Sequence, residues 1–282
     1  MKKKILFGLL GLVVCMFTMT ACSNDDDNNN GTTSGLKLTS IVDSDGDKTD
    51  FTYDNQGRIK SVHYFIASRN GTHDCVYTYQ DNKIVVEETD NESPNKKYIT
   101  EYTLKDGLIV EELESDYAVK YTYTYDKDRQ LVSIIEKENE DKEYATTYET
   151  SINWKDGNVE SWTRKRGNGQ WQATYQYTSE SAMKIGYLIN CFGMEQMRET
   201  ALTKFFGKQP KNLPSAVHEV YEWSWSDEDG NTGILRNEMN STGSYGFEGK
   251  DGYVSSCTTT TTEKKSGSSE KTETYVEKYT WE

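Results

Sequence analysis

The stretch Phe51–Val62, FTYDNQGRIKSV, carries the pattern that decides the fold. Aromatic and polar residues alternate from Phe51 to Tyr53, and period-2 alternation places every second side chain on one face of a β-strand. The Asp-Asn-Gln-Gly that follows is rich in residues that accept the backbone conformations of tight turns. Alternation resumes at Ile59. The stretch therefore predicts a β-hairpin with an aromatic residue just before its turn.

The same pattern recurs four more times, and the residues that precede the successive turns are 26, 25, 21 and 29 positions apart. Each period has room for two strands and two turns, and only three prolines interrupt the chain. We therefore predict an all-β fold, an antiparallel meander of repeated hairpins that forms a curled sheet or an open barrel. Equivalent positions should share one buried face, which we expect to carry Tyr53, Tyr79, Leu104, Tyr125, Trp154, Tyr177 and Trp223.

One segment breaks the alternation. Apolar residues are spaced as in a helix over Met194–Phe205, and Gly207 and then Pro210 end the pattern. We predict one short helical insertion there. Strands resume afterwards and include Gly252–Thr262 and Lys271–Trp281 at the C-terminus.

The N-terminus has the features of an export signal. Three lysines precede the apolar run Ile5–Phe17, and Ala21 stands directly before Cys22. This arrangement resembles the bacterial lipobox, in which the signal is cut before a cysteine that becomes lipidated. We predict a signal peptide at 1–21, a lipidated acidic flexible tether at 22–35 and a single hairpin-repeat domain at 36–282. An ordinary cleaved signal with an incidental cysteine is the alternative.

The tract that follows Cys22 is acidic, with aspartates at 25–27. It resembles the export tract of Bacteroidetes lipoproteins, which implies an outer-membrane lipoprotein exposed at the cell surface. The whole chain carries a formal charge of −14 from 32 basic and 46 acidic residues. Removing the three lysines of the signal leaves 29 basic and 46 acidic residues, or −17. Such a charge repels phosphate backbones, so nucleic-acid binding is not expected, and membrane contact should come from the lipid.

Two family resemblances rest on the turn motifs. The Tyr-Asp-x-x-Gly-Arg phrase around Tyr53–Ile59, preceded by Phe51, is similar to the YD repeats of RHS-type proteins. The hairpins, together with Phe205-Phe206-Gly207-Lys208 and the segment 211–215, resemble a gut-Bacteroidetes surface lipoprotein family of unknown function with a porin-like β-fold. That resemblance implies a fold and no catalytic residues. A lipid-facing barrel needs an outward apolar band, whereas these strands alternate with Lys, Glu and Thr and mean hydropathy is −0.85.

Two acidic stretches have the spacing of calcium-binding loops, because calcium takes clustered oxygen ligands. Asp227, Asp229, Asn231 and Glu238 form one candidate set. Asp43, Asp45, Asp47 and Asp54 form the second. Neither has glycine where such a loop demands it, and Asp-x-Asp-Gly is also the chemistry of a hairpin turn. The three histidines are too scattered for a zinc signature, and we predict no cofactor.

Three tryptophans are candidates for a ligand-binding surface, namely Trp171, Trp223 and Trp225. Trp171 follows a Gly-rich turn, which favours its exposure, and aromatic rings suit the recognition of sugars. The sequence contains neither a nucleophile elbow nor a catalytic cysteine signature. We therefore expect a non-catalytic binding module for an extracellular glycan or protein. A glycan-directed hydrolase that uses carboxylates inside a curled β-sheet is the alternative.

Three cysteines remain in the predicted mature domain besides Cys22, namely Cys75, Cys191 and Cys257. An odd number implies no disulfide framework, and three single pairings stay open. We expect buried free thiols, since cysteine behaves as a small apolar residue in a protein core.

Replacing Cys22 tests the predicted anchor. Because acylation needs the Cys22 sulfur and amine, metabolic labelling with a radioactive fatty acid should mark the wild-type protein and not Cys22→Ala. Equal labelling of both proteins would contradict lipidation at this residue. External protease should digest the wild-type protein on intact cells, and protection there would contradict surface exposure.

Overall fold

The computed structural model of the protein describes residues 36–114, 116–139, 145–181, 200–226, 232–249 and 252–282. Sixteen antiparallel strands form one closed barrel, in which successive strands pair and the first strand pairs with the last. The predicted meander is confirmed, and the sheet closes completely. The strands are β1 (Leu38–Asp43), β2 (Lys48–Tyr53), β3 (Ile59–Ile66), β4 (Gly71–Tyr79), β5 (Lys83–Asp90), β6 (Lys97–Lys105), β7 (Leu108–Glu114), β8 (Val119–Tyr125), β9 (Leu131–Glu138), β10 (Thr146–Lys155), β11 (Asn158–Arg166), β12 (Gly169–Ser181), β13 (Asn212–Ser226), β14 (Thr232–Glu248), β15 (Tyr253–Lys265) and β16 (Lys271–Trp281).

Side chains alternate between the lumen and the outer wall. The lumen face is apolar and aromatic over much of its height, and the cross-strand pairs Phe51–Val62 and Tyr123–Ile134 are buried there. The outer wall carries charged residues, which form cross-strand ion pairs such as Lys120–Glu111 at 2.7 Å. This alternation is the cause of the sheet's register, because a slip by one residue would turn every apolar side chain outward.

The two ends of the barrel differ. We call proximal the end that holds both termini, where Lys37 and Glu282 exchange two backbone hydrogen bonds of 2.6 and 2.8 Å. The recurring turns that sequence analysis identified lie at this end, including Asp54–Arg58 and Asp126–Gln130. In each of these two turns an Asp carboxylate accepts backbone N–H groups from the next residues. The opposite end, which we call distal, carries the turns at 44–47, 91–96 and 167–168.

A repeated hydrogen bond ties each hairpin together at the proximal end. Nearly every even-numbered strand carries a Tyr or Trp close to this end whose O–H or N–H donates to a carbonyl on the preceding strand. These distances are 2.6–2.8 Å. The donor–acceptor pairs, which we call the aromatic–bulge hydrogen bonds, are Tyr53–Leu38, Tyr79–Ile59, Tyr125–Ile109, Trp154–Leu131, Tyr177–Val159, Tyr245–Pro214 and Trp281–Val254.

Each acceptor is the residue just before a β-bulge. Register shifts place one extra residue on the odd-numbered strand immediately after it, for example Val110 after Ile109 and Val132 after Leu131. A bulge disrupts the ladder locally, and a buried carbonyl without a partner is costly. The aromatic donor supplies the partner, so the ring and the bulge form one unit.

The exception supports this coupling. β6 carries Leu104 at the equivalent place, which has no donor, and the preceding strand β5 pairs with β4 without a register shift. Where the donor is missing, the bulge is missing too. The aromatic residue before each turn therefore matches a backbone irregularity on the preceding strand.

The seven residues expected on the interior face all point into the lumen. Tyr53, Tyr79, Leu104, Tyr125, Trp154 and Tyr177 are half-buried at the proximal end, as equivalent positions of their hairpins. Trp223 also points inward, but it lies at the distal end, where it pairs with Gly169. The residue of β14 that takes the equivalent role is Tyr245. The periodicity of β13 correctly predicted the face on which Trp223 lies. It did not predict the position of Trp223 along the barrel axis.

The predicted helix at Met194–Phe205 falls partly outside the described residues. Its described part belongs to a 3₁₀ helix, Thr200–Phe206, which packs inside the proximal end. Leu202 is completely buried, and the ring of Phe206 makes an edge contact with Tyr123 at 5.0 Å between centroids. Gly207 follows with φ +81, and a Cβ there would lie 2.2 Å from the Arg129 carbonyl oxygen. No helix in the described ranges has the length and apolar character that crossing a membrane requires.

Removing one hydroxyl tests the aromatic–bulge hydrogen bonds. Tyr125→Phe keeps the ring and leaves the buried Ile109 carbonyl without its donor, so we expect unfolding to become easier by about 1–3 kcal/mol. Tyr253→Phe is the matched control, because the Tyr253 ring stacks on Trp281 while its hydroxyl has no hydrogen-bond partner in the described part of the chain. The control should stay within about 0.5 kcal/mol of wild type in urea unfolding. Equal midpoints for both variants would contradict the assigned role.

Candidate functional site

The three tryptophans proposed for binding lie on one wall of the lumen at the distal end. Trp171 is on β12, and Trp223 and Trp225 occupy successive inward positions of the neighbouring strand β13. Trp171 and Trp223 are half-buried, and Trp225 is 39% exposed. The fold thus brings together residues that are more than fifty positions apart in sequence.

Two glycines make space for these rings. Gly169 is the cross-strand partner of Trp223, and Gly233 is the partner of Trp225. A Cβ added at either glycine would approach the facing indole to 2.6 Å. Each indole therefore lies against the backbone of a neighbouring strand, β12 for Trp223 and β14 for Trp225, which restricts the position of the ring.

The wall continues into tyrosines and arginines. The ring of Trp171 packs on Tyr221 with 4.7 Å between centroids and lies 6.3 Å from Tyr148. The guanidinium of Arg164 lies 4.1 Å from the centre of the Tyr148 ring, and that of Arg166 lies 4.9 Å from it. Guanidinium groups stack favourably on aromatic faces. We call Tyr148, Trp171, Tyr221, Trp223 and Trp225 the distal aromatic cluster.

Arg164 contacts both the Tyr148 ring and the carboxylate of Glu136. Its Nη2 donates to Glu136 Oε2 at 2.5 Å, in a pair whose side chains are 15% and 7% exposed. Its Nε is buried and has no hydrogen-bond partner. The pair is therefore largely buried, and it retains one N–H donor without a partner.

The wall ends in a projecting hairpin. β13 and β14 run past the end of β12, because Gly169 begins β12 opposite Trp223 whereas β13 continues to Ser226. The inner side of this hairpin carries Trp225 and Leu235, which is 52% exposed. Large exposed apolar side chains at the mouth of a barrel indicate a place where another molecule packs.

Carboxylates also line the lumen, as the hydrolase alternative requires. Glu112 is buried and accepts hydrogen bonds from the hydroxyls of Tyr102 and Tyr123. Burial and the nearby Glu112 raise the pKa of the Tyr123 hydroxyl well above its usual value. Asp43 accepts the backbone N–H groups of Asp45 and Asp47 and the hydroxyl of Tyr275. These groups are already engaged by neighbouring donors.

Glu277 is a lumen carboxyl group with a strongly perturbed pKa. It is a cross-strand partner of Asp43 and is 2% exposed. Burial raises its pKa to about 8, the Asp43 charge acts in the same direction, and the hydrogen bond from Tyr279 partly opposes them. Glu277 is therefore largely protonated at neutral pH.

The calcium candidates separate in space. Asp227, Asp229 and Asn231 lie outside the described residues, and Glu238 faces outward beside Arg236 and His218. In the second set, Asp43, Asp45 and Asp47 belong to the distal turn between β1 and β2, whereas Asp54 lies in the proximal turn after β2. These four carboxylates do not meet at one point. Within the described ranges, no group of three or more potential ligands from His, Cys, Asp and Glu is placed to hold a metal ion.

The histidines and cysteines are dispersed. His63 and His218 face outward toward Asp74 and Asn240, and His73 faces the lumen beside Glu88. Cys75 on β4 and Cys257 on β15 are buried on the lumen face, as expected for core thiols. Burial raises the pKa of Cys257 to about 12, which removes the reactive thiolate. Cys22 and Cys191 lie outside the described residues.

Sequence reasoning identified the tryptophans and missed their partners. Tyr148, Arg164 and Arg166 look like ordinary strand residues, because inward and outward positions cannot be distinguished when both carry polar side chains. One signal was available: Arg164, Arg166 and Trp171 alternate with polar residues on either side of the Gly167–Gly169 turn. Period-2 alternation across a hairpin places them on the same face.

Glu277 makes the stability of the barrel depend on pH. A carboxyl whose pKa is raised by folding stabilises the native state fully below the unfolded pKa, and this contribution is lost as the pH rises through about 8. Glu277→Gln keeps the acceptor for Tyr279 and removes the ionisation. We expect it to match wild type near pH 4 and to be more stable at pH 9 by on the order of 2–4 kcal/mol.

The control for this experiment is Glu149→Gln, at an exposed outward position on β10. It should follow the wild-type dependence on pH when both are unfolded in urea at pH 4, 7 and 9. A Glu277→Gln curve parallel to wild type over this range would contradict the raised pKa.

Comparisons with known proteins agree with this architecture. A crystal structure of a porin-like protein from Bacteroides uniformis ATCC 8492 superposes with a TM-score of 0.59 at 16% identity, covering 88% of this chain and 95% of that one. A second porin-like protein, from Bacteroides vulgatus ATCC 8482, has a TM-score of 0.51 at 12% identity, covering 86% and 97%. At these identities the likeness shows the fold alone. No curated protein matches the chain.

The resemblance to RHS-type proteins is supported only weakly. A TcdB2-TccC3-Cdc42 structure matches with a TM-score of only 0.29, too low to support a shared fold. The family model of a domain of unknown function with porin-like fold, DUF4595, matches residues 51–232, which is more than half of the chain. The predicted resemblance to that fold is therefore confirmed, and this chain belongs to the DUF4595 family of porin-like domains.

Proposed function

We propose that the protein is a non-catalytic binding module that holds an extracellular carbohydrate at the distal mouth of its barrel. The observation that carries the proposal is the distal aromatic cluster, in which three indoles and two phenol rings meet on one concave wall. Sugar rings present apolar C–H faces and polar hydroxyl edges. Partly exposed aromatic faces beside polar groups are complementary to both.

The polar surroundings of the cluster support a carbohydrate over an apolar ligand. Tyr221 and Asn237 are half-buried cross-strand partners that face the lumen. Glu219 and Met239, the next inward pair, are also half-buried. Such a site offers a stacking surface at the rim and hydrogen-bonding groups further inside. A protein ligand needs a broader contact, of about 800 Å² on each partner.

The position of the termini supports a surface role. The described chain enters the barrel at the proximal end, where Lys37 pairs with Glu282. A lipid on Cys22, only sixteen residues before Leu38, would hold this end near the membrane. The distal aromatic cluster would then face away from the membrane, toward soluble or neighbouring polysaccharides. We therefore propose a lipid-anchored protein of the outer membrane with its binding site directed outward.

Two neighbouring carboxylates in the lumen are the structural basis for the hydrolase alternative. Glu112 and Glu136 are both cross-strand partners of Tyr121, so two carboxylates share one row inside the lumen. Glu136 is paired with Arg164, and Glu112 accepts from two tyrosines. These bonds favour a structural role for both groups. Release of reducing sugar during a binding experiment would favour the enzyme instead.

Calorimetric titration against a panel of neutral and acidic oligosaccharides tests the binding proposal. Trp171→Ala and Trp225→Ala each remove a stacking surface, so we expect the affinity for any bound member to fall by roughly tenfold or more. Val76→Ala is the control, because Val76 is 46% exposed on the outer wall. It should bind as the wild type does.

Two results would contradict the proposal. One is that no oligosaccharide of the panel binds the wild-type protein. The other is that binding is unchanged in Trp171→Ala and Trp225→Ala while near-ultraviolet circular dichroism shows that both variants are folded. Capture of a protein ligand that competes at the same tryptophans would replace carbohydrate by protein as the partner.

A further inference from the structure

We infer that the carbohydrate bound at the distal aromatic cluster is acidic, and that Arg166 together with Arg164 binds its carboxylate or sulfate group. This inference rests on the proposed function and names the class of its ligand. Its basis is a pair of guanidinium groups that lie over one tyrosine ring at the lumen mouth, in a chain whose formal charge is −14.

Arg166 differs from those cations of the outer wall that are neutralised by ion pairs. Arg236 and Lys120 there contact carboxylates at 2.7 Å. Arg166 makes no ion pair with any described residue, and its guanidinium lies over the Tyr148 ring. A cation that folding leaves unpaired at the mouth of a cavity attracts an anionic ligand.

The geometry suits a planar or tetrahedral anion. The guanidinium of Arg166 lies over the Tyr148 ring, 4.9 Å from its centre, and its N–H groups can donate to a ligand. Arg164 lies on the same ring at 4.1 Å and keeps a buried Nε without a partner. Guanidinium groups bind carboxylate and sulfate oxygens through paired N–H donors, a geometry that lysine does not offer.

The carboxylates nearby do not cancel this charge. Glu136 forms an ion pair with Nη2 of Arg164. The buried Nε of Arg164 has no hydrogen-bond partner. Glu138 and Glu136 act on the Tyr148 hydroxyl in the direction opposite to the two arginines, and burial is the largest cause of that group's raised pKa. Glu138 forms no ion pair with Arg166 in the described structure. Among the residues that the structure describes, the two guanidinium groups therefore share a single ion-pair partner, Glu136.

The test compares saccharides that differ only in charge. Oligogalacturonate and its methyl ester form one pair, and chondroitin sulfate oligosaccharides and their desulfated, carboxyl-esterified form provide a second. The wild-type protein should bind the charged member of at least one pair about tenfold more tightly at low salt, and added salt should reduce the preference. Arg166→Gln should reduce the ratio of charged to neutral affinity to within about threefold.

Two variants make the interpretation specific. Lys165→Gln changes the charge by the same amount one residue away but faces outward, so it should keep the wild-type ratio. Arg166→Lys keeps the charge and loses the paired donors, so its ratio should fall between those of wild type and Arg166→Gln.

The outcomes separate the inference from the proposed function. If wild type binds both members of each pair equally and Trp171→Ala weakens both, the protein binds carbohydrate and the inference of an acidic ligand is wrong. An unchanged ratio in folded Arg166→Gln would also overturn it. If neither pair of saccharides nor any neutral oligosaccharide binds, the proposed function is wrong. The inference of an acidic ligand is then wrong as well.

Discussion

A hydrogen bond from an aromatic side chain to a bulged backbone carbonyl is the constraint on which the barrel depends. Tyr125 and Trp154 show its two chemical forms, with a phenol donating to Ile109 and an indole donating to Leu131. A bulge alone would bury an unsatisfied carbonyl, and an aromatic hydroxyl alone would lose its water. Each feature compensates the other. Seven repetitions around the proximal end fix the register of the hairpins and bend the strands into a closed cylinder.

This constraint divides the molecule into two ends with different roles. At the proximal end, the aromatic donors are paired with carbonyls, and the segment that contains Phe206 and Gly207 packs against lumen residues. At the distal end the rings of Trp171 and Trp225 pack on other rings or on glycine backbone and remain partly exposed. The same residue types therefore close one end of the barrel and form a binding surface at the other. The proposed carbohydrate site follows from this asymmetry.

The local structure was readable from the sequence because it depends on short-range rules. The alternation at Phe51–Tyr53 and the Asp-rich turn after it are enough to predict a hairpin, and its repetition predicts the meander. Closure was not readable, because pairing between Leu38 and Trp281 joins residues from the two ends of the domain. The bulges were hidden as well, since Thr39 or Lys60 carries no mark that distinguishes an extra residue. Trp223 was assigned to the correct face, but its height along the barrel was hidden for the same reason.

The candidate site was predictable only in its most conspicuous members. Tryptophan is rare enough for Trp171, Trp223 and Trp225 to be noticed singly. Arg164 and Arg166 acquire their meaning from Tyr148 and Glu136, which are contributed by other strands. Glu277 likewise acquires its raised pKa from burial and from Asp43, more than two hundred residues earlier. Such properties arise from tertiary packing, which single-sequence patterns do not encode.

Fluorine NMR of the protein labelled with 5-fluorotryptophan tests the two-ended account most directly, because each of the six tryptophans gives its own resonance. Addition of an acidic oligosaccharide that binds should shift the resonances of Trp171, Trp223 and Trp225. Those of Trp154 and Trp281, which donate to bulged carbonyls at the proximal end, should stay in place. Shifts confined to Trp154 and Trp281, or binding that moves none of the distal three, would contradict the account.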